Sequence, residues 1–188
     1  LVIRAELFDH VSTSLNSKSD TEWIQWLESA VKLLDTRNDE KKWPASRAFF
    51  GPEDPMVETL ITLIKGVRRS IDLAIFTITD NRLFEELIDC HRRNIKVRII
   101  TDDDKAYDRG SDAYSLIAAN VPLHFDQSPH HFHHKYAIFD GVTLVNGSYN
   151  WTRGADRNNR ENFTLSWEAP LVAQYQENFN ELWQQLRD

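Results

Sequence analysis

From Ile71 to Thr77 the chain is an almost unbroken apolar, β-branched run, the pattern of a strand buried on both faces. Segments with apolar residues at helical spacing flank it on either side. Before it, Asp54 to about Arg69 predicts a helix with Asp54 as N-cap and Pro55 in the first turn. After it come an amphipathic helix over Asn81–Arg93, a strand over Lys96–Thr101, a helix over Ser111–Ala119 and a short strand over Leu123–Phe125. Arg47–Phe50 reads as a further strand, broken by Gly51-Pro52. This alternation predicts a layered α/β fold whose sheet is at least partly parallel.

Downstream the pattern changes. Lys135–Phe139 and Val142–Val145 flank Asp140-Gly141, a two-residue hairpin signal. Asn162–Trp167 reads as another strand and Leu171–Leu186 as a closing amphipathic helix. Upstream, Thr21–Leu34 carries Trp23, Ile24, Trp26, Leu27, Ala30, Val31, Leu33 and Leu34 at helical spacing, with Asp20 as N-cap, and Asp35–Pro44 is a polar linker. Residues 1–45 are therefore expected to be an N-terminal helical extension and 46–188 the main domain. The tryptophans of the extension are expected to pack as core, with a docking surface as the alternative. No internal repeat or low-complexity segment is present.

With 188 residues, one well-packed core is expected rather than two full domains. The net charge of -7 argues against a protein that coats nucleic acid through its overall field, yet leaves room for a local basic groove. Cys90 is the single cysteine, which excludes an intrachain disulfide and a multi-cysteine zinc site and fits a reducing, cytoplasmic setting. No run approaches the roughly 20 apolar residues of a membrane-spanning helix. The chain begins at Leu1 without a methionine, so an upstream signal or anchor would not be visible.

The chemistry-bearing stretch is His133 to Glu161. His133 and Lys135 are two apart, so on a strand they project from one face. Asp140 follows at the hairpin corner, and the return strand leads into Gly147-Ser148-Tyr149-Asn150. A same-face His and Lys, with a hydroxyl and an amide on the neighbouring strand, supply a nucleophile or base, a fixed positive charge and neutral donors for phosphate oxygens.

His133-His134-Lys135-Tyr136-Ala137-Ile138-Phe139-Asp140 resembles the HxKxxxxD signature of the phospholipase D superfamily. Gly147-Ser148-Tyr149-Asn150 resembles its GSxN element, and Glu161 falls where these proteins carry a glutamate. The similarity runs from about Phe49 to the C-terminus, taking in Phe76-Thr77, Thr101-Asp102 and Asn159-Arg160-Glu161-Asn162. It is strongest to short members with one motif, the small bacterial endonucleases and the mitochondrial cardiolipin hydrolases.

That resemblance implies a phospholipase D-like α-β-α fold with a mixed central sheet. It also implies a homodimer, since the superfamily's chemistry uses two motifs and this chain has one. One His133 would form a phosphohistidine, and the other would protonate the leaving oxygen and then activate water. Lys135, Ser148 and Asn150 would hold the phosphate, and Glu161 would orient the His133 ring. Asp140 is expected to fix the hairpin. No metal or other cofactor is expected.

Plainer readings stand beside these. His130, His131, His133 and His134 cluster without a Cys or acidic partner at a metal-ligand spacing, so His131 and His134 are expected on the rim, His134 as a substrate contact. His10, His91 and His124 are ordinary histidines. Asp102-Asp103-Asp104 reads as a loop ending a strand, and Lys105 and Arg109 within that rim are candidates for touching substrate. Arg153, Arg157 and Arg160 line a groove for a polyanion or merely balance Asp156 and Glu161. Trp151 stacks a base or packs the core.

The expected activity is a metal-independent endonuclease acting on DNA or RNA, with a cardiolipin-type phospholipid hydrolase as the alternative. For the lipid enzyme an exposed apolar or basic anchoring patch is required, and none is legible in the sequence. A silent nucleic-acid-binding module is the third reading, disfavoured because every motif residue is retained.

Overall fold

The computed structural model describes residues 44–108 and 110–187, together with Leu27. The helix expected over Thr21–Leu34, its Asp20 cap and the substrate candidate Arg109 lie outside the described residues. The strands are β1 (Arg47–Phe50), β2 (Ser70–Ile75), β3 (Lys96–Asp102), β4 (Leu123–Asp126), β5 (Lys135–Phe139), β6 (Thr143–Gly147) and β7 (Asn162–Ser166). The helices are α1 (Met56–Gly66), α2 (Asn81–Arg92), α3 (Asp103–Ala106), α4 (Ala113–Ala118), α5 (Arg153–Arg157) and α6 (Ala169–Gln185).

The seven strands make one mixed sheet in the order β1-β7-β6-β5-β2-β3-β4. β2, β3 and β4 run parallel, joined by the crossover segments that contain α2 and α4. β5 runs antiparallel to β2, and β6, β7 and β1 continue antiparallel beyond it.

Alternate residues divide the core into two layers. Ile71, Leu73, Ile75, Val97, Ile99, Ala137, Phe139, Val145, Phe163 and Leu165 pack with Leu60 and Ile64 of α1 and Leu83 and Leu87 of α2. Ala74, Ile100, Tyr136, Ile138 and Leu144 face Val172, Phe179 and Trp183 of α6. Both faces of the central strands are covered, which is why they read as continuous apolar runs. Asp72 is the polar exception within β2. Arg98 of β3 pairs with it at 2.7 and 2.8 Å, and Gln176 and Asn180 of α6 complete the network. The closing helix is thus fixed to the sheet by hydrogen bonds as well as by apolar contact.

Several local expectations are corrected. Asp54 does not cap α1: its Oδ2 accepts from Phe50 N–H at 2.8 Å, closing the turn before the helix, and the N-cap position falls to Pro55, which offers no side-chain cap. α1 ends at Gly66, and Arg68 and Arg69 lie in the turn to β2. α4 is shorter than the predicted Ser111–Ala119. Two short helices fall where loops were expected: α3 is capped by Asp102, which accepts from Lys105 N–H, and α5 by Thr152, which accepts from Ala155 N–H.

Candidate active site

β5 delivers the motif. Ala137 and Phe139 point to the α1–α2 layer, and Tyr136 and Ile138 to the α6 layer. Lys135, the first residue of β5, continues the former face, while His133 lies just before the strand rather than within it. The two remain together because Lys135 Nζ donates to His133 O at 2.9 Å and both meet the Phe76 ring. That ring lies 4.9 Å, between centroids, from the His133 ring and 5.2 Å from Lys135 Nζ. Phe76, immediately after β2, was not selected from the sequence as a site residue; its position at the end of the most buried strand was the available signal.

β6 and β7 supply the second part. At Gly147 a Cβ would lie 2.6 Å from Phe163 Cα and against the Asn162 carbonyl, so only glycine permits this approach of the two strands. Ser148 follows. Its hydroxyl donates to Glu161 Oε2 and accepts from Asn162 N–H, while its own N–H donates to Asn162 O. Asn159 Nδ2 donates to Glu161 Oε1 at 3.0 Å. The Ser148 hydroxyl and Glu161 therefore hold one another. Asn150 Oδ1 is buried and has no hydrogen-bond partner among the described residues.

Charge at the site follows burial. Desolvation holds Lys135 below the ordinary lysine range, and Glu161 opposes it. Desolvation, then the charges of Lys135 and His131, hold His133 below the usual imidazole value, with Asp102 opposing. The expected contact of Glu161 with the His133 ring is not made: among the described residues no carboxylate bonds that ring.

Other expected residues are found elsewhere. Asp140 sits at the far end of β5, with a positive φ of 55°, and its carboxylate accepts the N–H groups of Arg68, Arg69 and Ser70. It clamps the hairpin to the turn before β2 and takes no part in the site. His134 projects to the α6 side, edge-on to Phe132 and Tyr136. Trp151 is only 3% exposed and belongs to the core; its carbonyl accepts from Thr79 and Asp80 N–H, so it offers no face to a base. Lys105 does reach the site, with Nζ 5.6 Å from the Phe76 centroid. Arg153, Arg157 and Arg160 are exposed, and no carboxylate among the described residues is within ion-pair distance of them.

The fold brings to His131 acidic neighbours that spacing along the chain does not show. Ligand atoms of Asp102, Asp104 and His131 come within 4.8 Å of one another at the end of β3. Asp102 already accepts from Lys105 and Phe132 N–H, and Asp104 is exposed, so the trio reads as charge balance on the rim. A concavity of about 470 Å³, lined in part by His91, Lys96, Arg98 and Trp183, contains no motif residue.

Residues 60–183 match the family model described as cardiolipin synthase, PLD-like domain. The chain belongs to the phospholipase D-like family. It is 40% identical over 115 residues to a mitochondrial cardiolipin hydrolase of Chlamydomonas reinhardtii, an alignment covering 61% of this chain and 52% of that protein. Over 132 residues it is 36% identical to the mitochondrial cardiolipin hydrolase of Xenopus laevis, covering 70% of this chain and 63% of the relative. The chain thus spans between half and two thirds of the length of these relatives. Among solved structures, the phospholipase D family member Nuc from Salmonella typhimurium superposes with a TM-score of 0.71 at 26% identity, covering 78% of this chain and 98% of Nuc. The mixed sheet with flanking helices is the phospholipase D-like fold.

Proposed function

We propose that the protein hydrolyses a phospholipid phosphodiester of the cardiolipin class through a phosphohistidine on His133, at a site shared by two copies of the chain. The observation that carries the lipid reading is an exposed aromatic and aliphatic patch beside the site. Tyr107 is 78% exposed, Tyr114 45% and Ile117 40%. Tyr107 packs on Tyr114 at 5.6 Å and Tyr114 on Phe125 at 5.7 Å, and Tyr107 follows Lys105 by two residues. Tyrosines and aliphatic residues of this kind seat proteins at a lipid–water interface. The sequence could not reveal the patch, because Tyr107 and Tyr114 meet only once α4 is folded. The names of the two curated relatives favour the same substrate class.

In this reading a neutral His133 imidazole attacks phosphorus, and the bond to the leaving oxygen breaks as His133 of the second copy protonates it. The now neutral second histidine takes a proton from water, whose oxygen attacks phosphorus and breaks the N–P bond, releasing phosphatidate. Lys135 and the buried amide of Asn150 meet the phosphate, and the Glu161–Ser148 pair sets the charge around Lys135. Because one chain provides a single motif histidine, the homodimer supplies the acid. No metal enters these steps.

A second reading, an endonuclease, is favoured by the exposed arginines 153, 157 and 160 following the GSxN element. Cardiolipin vesicles, single-stranded DNA, duplex DNA and RNA, each offered with excess EDTA to the full chain and to His133→Ala, decide between them. Phosphatidate release that survives EDTA and vanishes in the variant is expected. Cleavage of a nucleic acid with the vesicles intact would replace the lipid reading by the nuclease one. A monomer on sedimentation with full activity would overturn the shared site.

A further inference from the structure

The Phe76 ring gathers two histidine–lysine pairs, and only one belongs to the motif. Beside His133 and Lys135 stand His131, with its ring 5.3 Å away, and Lys105, with Nζ 5.6 Å away. No two of these four groups are separated by more than twice the larger of those distances. The reaction proposed above uses neither His131 nor Lys105, yet both are held in place. Asp102 is almost wholly buried, and its carboxylate is fixed by the N–H groups of Lys105 at 3.1 Å and Phe132 at 2.8 Å. Its Oδ2 lies 3.5 Å from His131 Nδ1, so a rigid anion orients that imidazole. Lys105 projects from α3, and its ammonium is bonded to Asp108 at 2.9 Å.

We infer that His131 and Lys105 form a second phosphate subsite beside the catalytic one, for a substrate that carries two phosphates a few bonds apart. The inference rests on the phosphodiesterase reading and narrows its substrate class. Cardiolipin has such a pair of phosphates, and so does any two-linkage stretch of nucleic acid; the shared chemistry is a second phosphate near the scissile one. Asp102, Asp104 and Asp108 surround Lys105 and weaken the subsite for a lone anion. A phosphate delivered by a substrate already anchored at His133 arrives at high effective concentration and can take Lys105 from Asp108. The acidic surround thereby turns a general attraction for anions into a preference for tethered pairs.

The test compares kcat/KM for a two-phosphate and a one-phosphate substrate, using the full chain. One arm uses cardiolipin and phosphatidylglycerol in phosphatidylcholine vesicles; the other uses thymidine trinucleotide and dinucleotide. Lys105→Ala and His131→Gln are expected to lower the two-to-one ratio about tenfold, the scale of one charge-assisted hydrogen bond. Asp108→Asn, which releases Lys105, is expected to raise it. The arm in which the ratio moves identifies the source of the second phosphate. Ratios unchanged in both arms for all three variants would overturn the subsite while leaving the phosphodiesterase reading intact. No turnover of any substrate by the parent chain would overturn both.

Discussion

The Glu161 carboxylate accepts from the hydroxyl of Ser148, and from Asn159 on its other oxygen, not from the ring of His133. The carboxylate that sequence reasoning assigned to the nucleophile instead locks the GSxN strand to its neighbour and lies near enough to Lys135 to support its charge. If the pair works as a unit, removing either partner removes most of its effect. Glu161→Gln and Ser148→Ala are each expected to lower kcat by about 10- to 100-fold, and the double variant by little more, because interacting residues do not add. Additive losses in that cycle would separate the two roles.

The pH profile should carry the mark of His133. Burial and the neighbouring cations favour its neutral form, so its pKa lies below the ordinary 6.5. In the proposed reaction the neutral ring is the nucleophile and the protonated ring of the second copy the acid, so kcat/KM is expected to be bell-shaped, with its acid limb below 6.5 where the first ring takes up a proton. Lys135→Met deletes one of the lowering charges, and besides reducing the rate it should move the limb to higher pH. A limb that moves down in the variant would contradict the assignment; kcat/KM against pH and an NMR titration of the ring both read it.

Asp140 is expected to matter for stability and not for chemistry. Asp140→Ala leaves the N–H groups of Arg68, Arg69 and Ser70 without their acceptor. Losing those bonds is expected to cost about 1–3 kcal/mol. Denaturant unfolding should show the loss, with turnover per folded molecule retained.

Trp151→Ala tests the buried assignment of that ring. A core tryptophan truncated to alanine is expected to cost about 3–5 kcal/mol, whereas Trp151→Phe should lower the melting temperature modestly and leave KM alone. A rise in KM without loss of stability would return Trp151 to the substrate.

Much of the architecture was legible because period-two and helical patterns survive folding: β1 and β5 were read with the bounds they have, and the hairpin at Asp140-Gly141 is where the sequence put it. The missed pieces depend on partners distant in the chain. Asp54 looked like a cap because local spacing cannot show that Phe50 N–H competes for it. Trp151 stood open between base stacking and core, because nothing nearby reveals its burial or that Thr79 and Asp80 bond its carbonyl. Phe76 stood only within the family resemblance and His131 only on the rim, and both gain a place in the site when β2, β3 and the loop before β5 converge. Spacing along the chain assembled the His133–Lys135 pair and could not assemble the pair beside it.

The position of β1 against β7 has a consequence for synthesis. β1 is the first strand of the sheet to leave the ribosome and β7 the last, and each Arg47–Phe50 residue pairs only with Asn162–Leu165. The parallel half and the motif hairpin can collapse while β1 still waits, and such long-range pairing is the slow step of sheet folding. A fragment stopped before Asn162 would carry His133, Lys135, Ser148 and Asn150 yet leave the edges of β1 and β6 open to other chains. The protein is therefore expected to become a safe, non-sticky molecule only after the last strand of the sheet has emerged, well after His133 has been made.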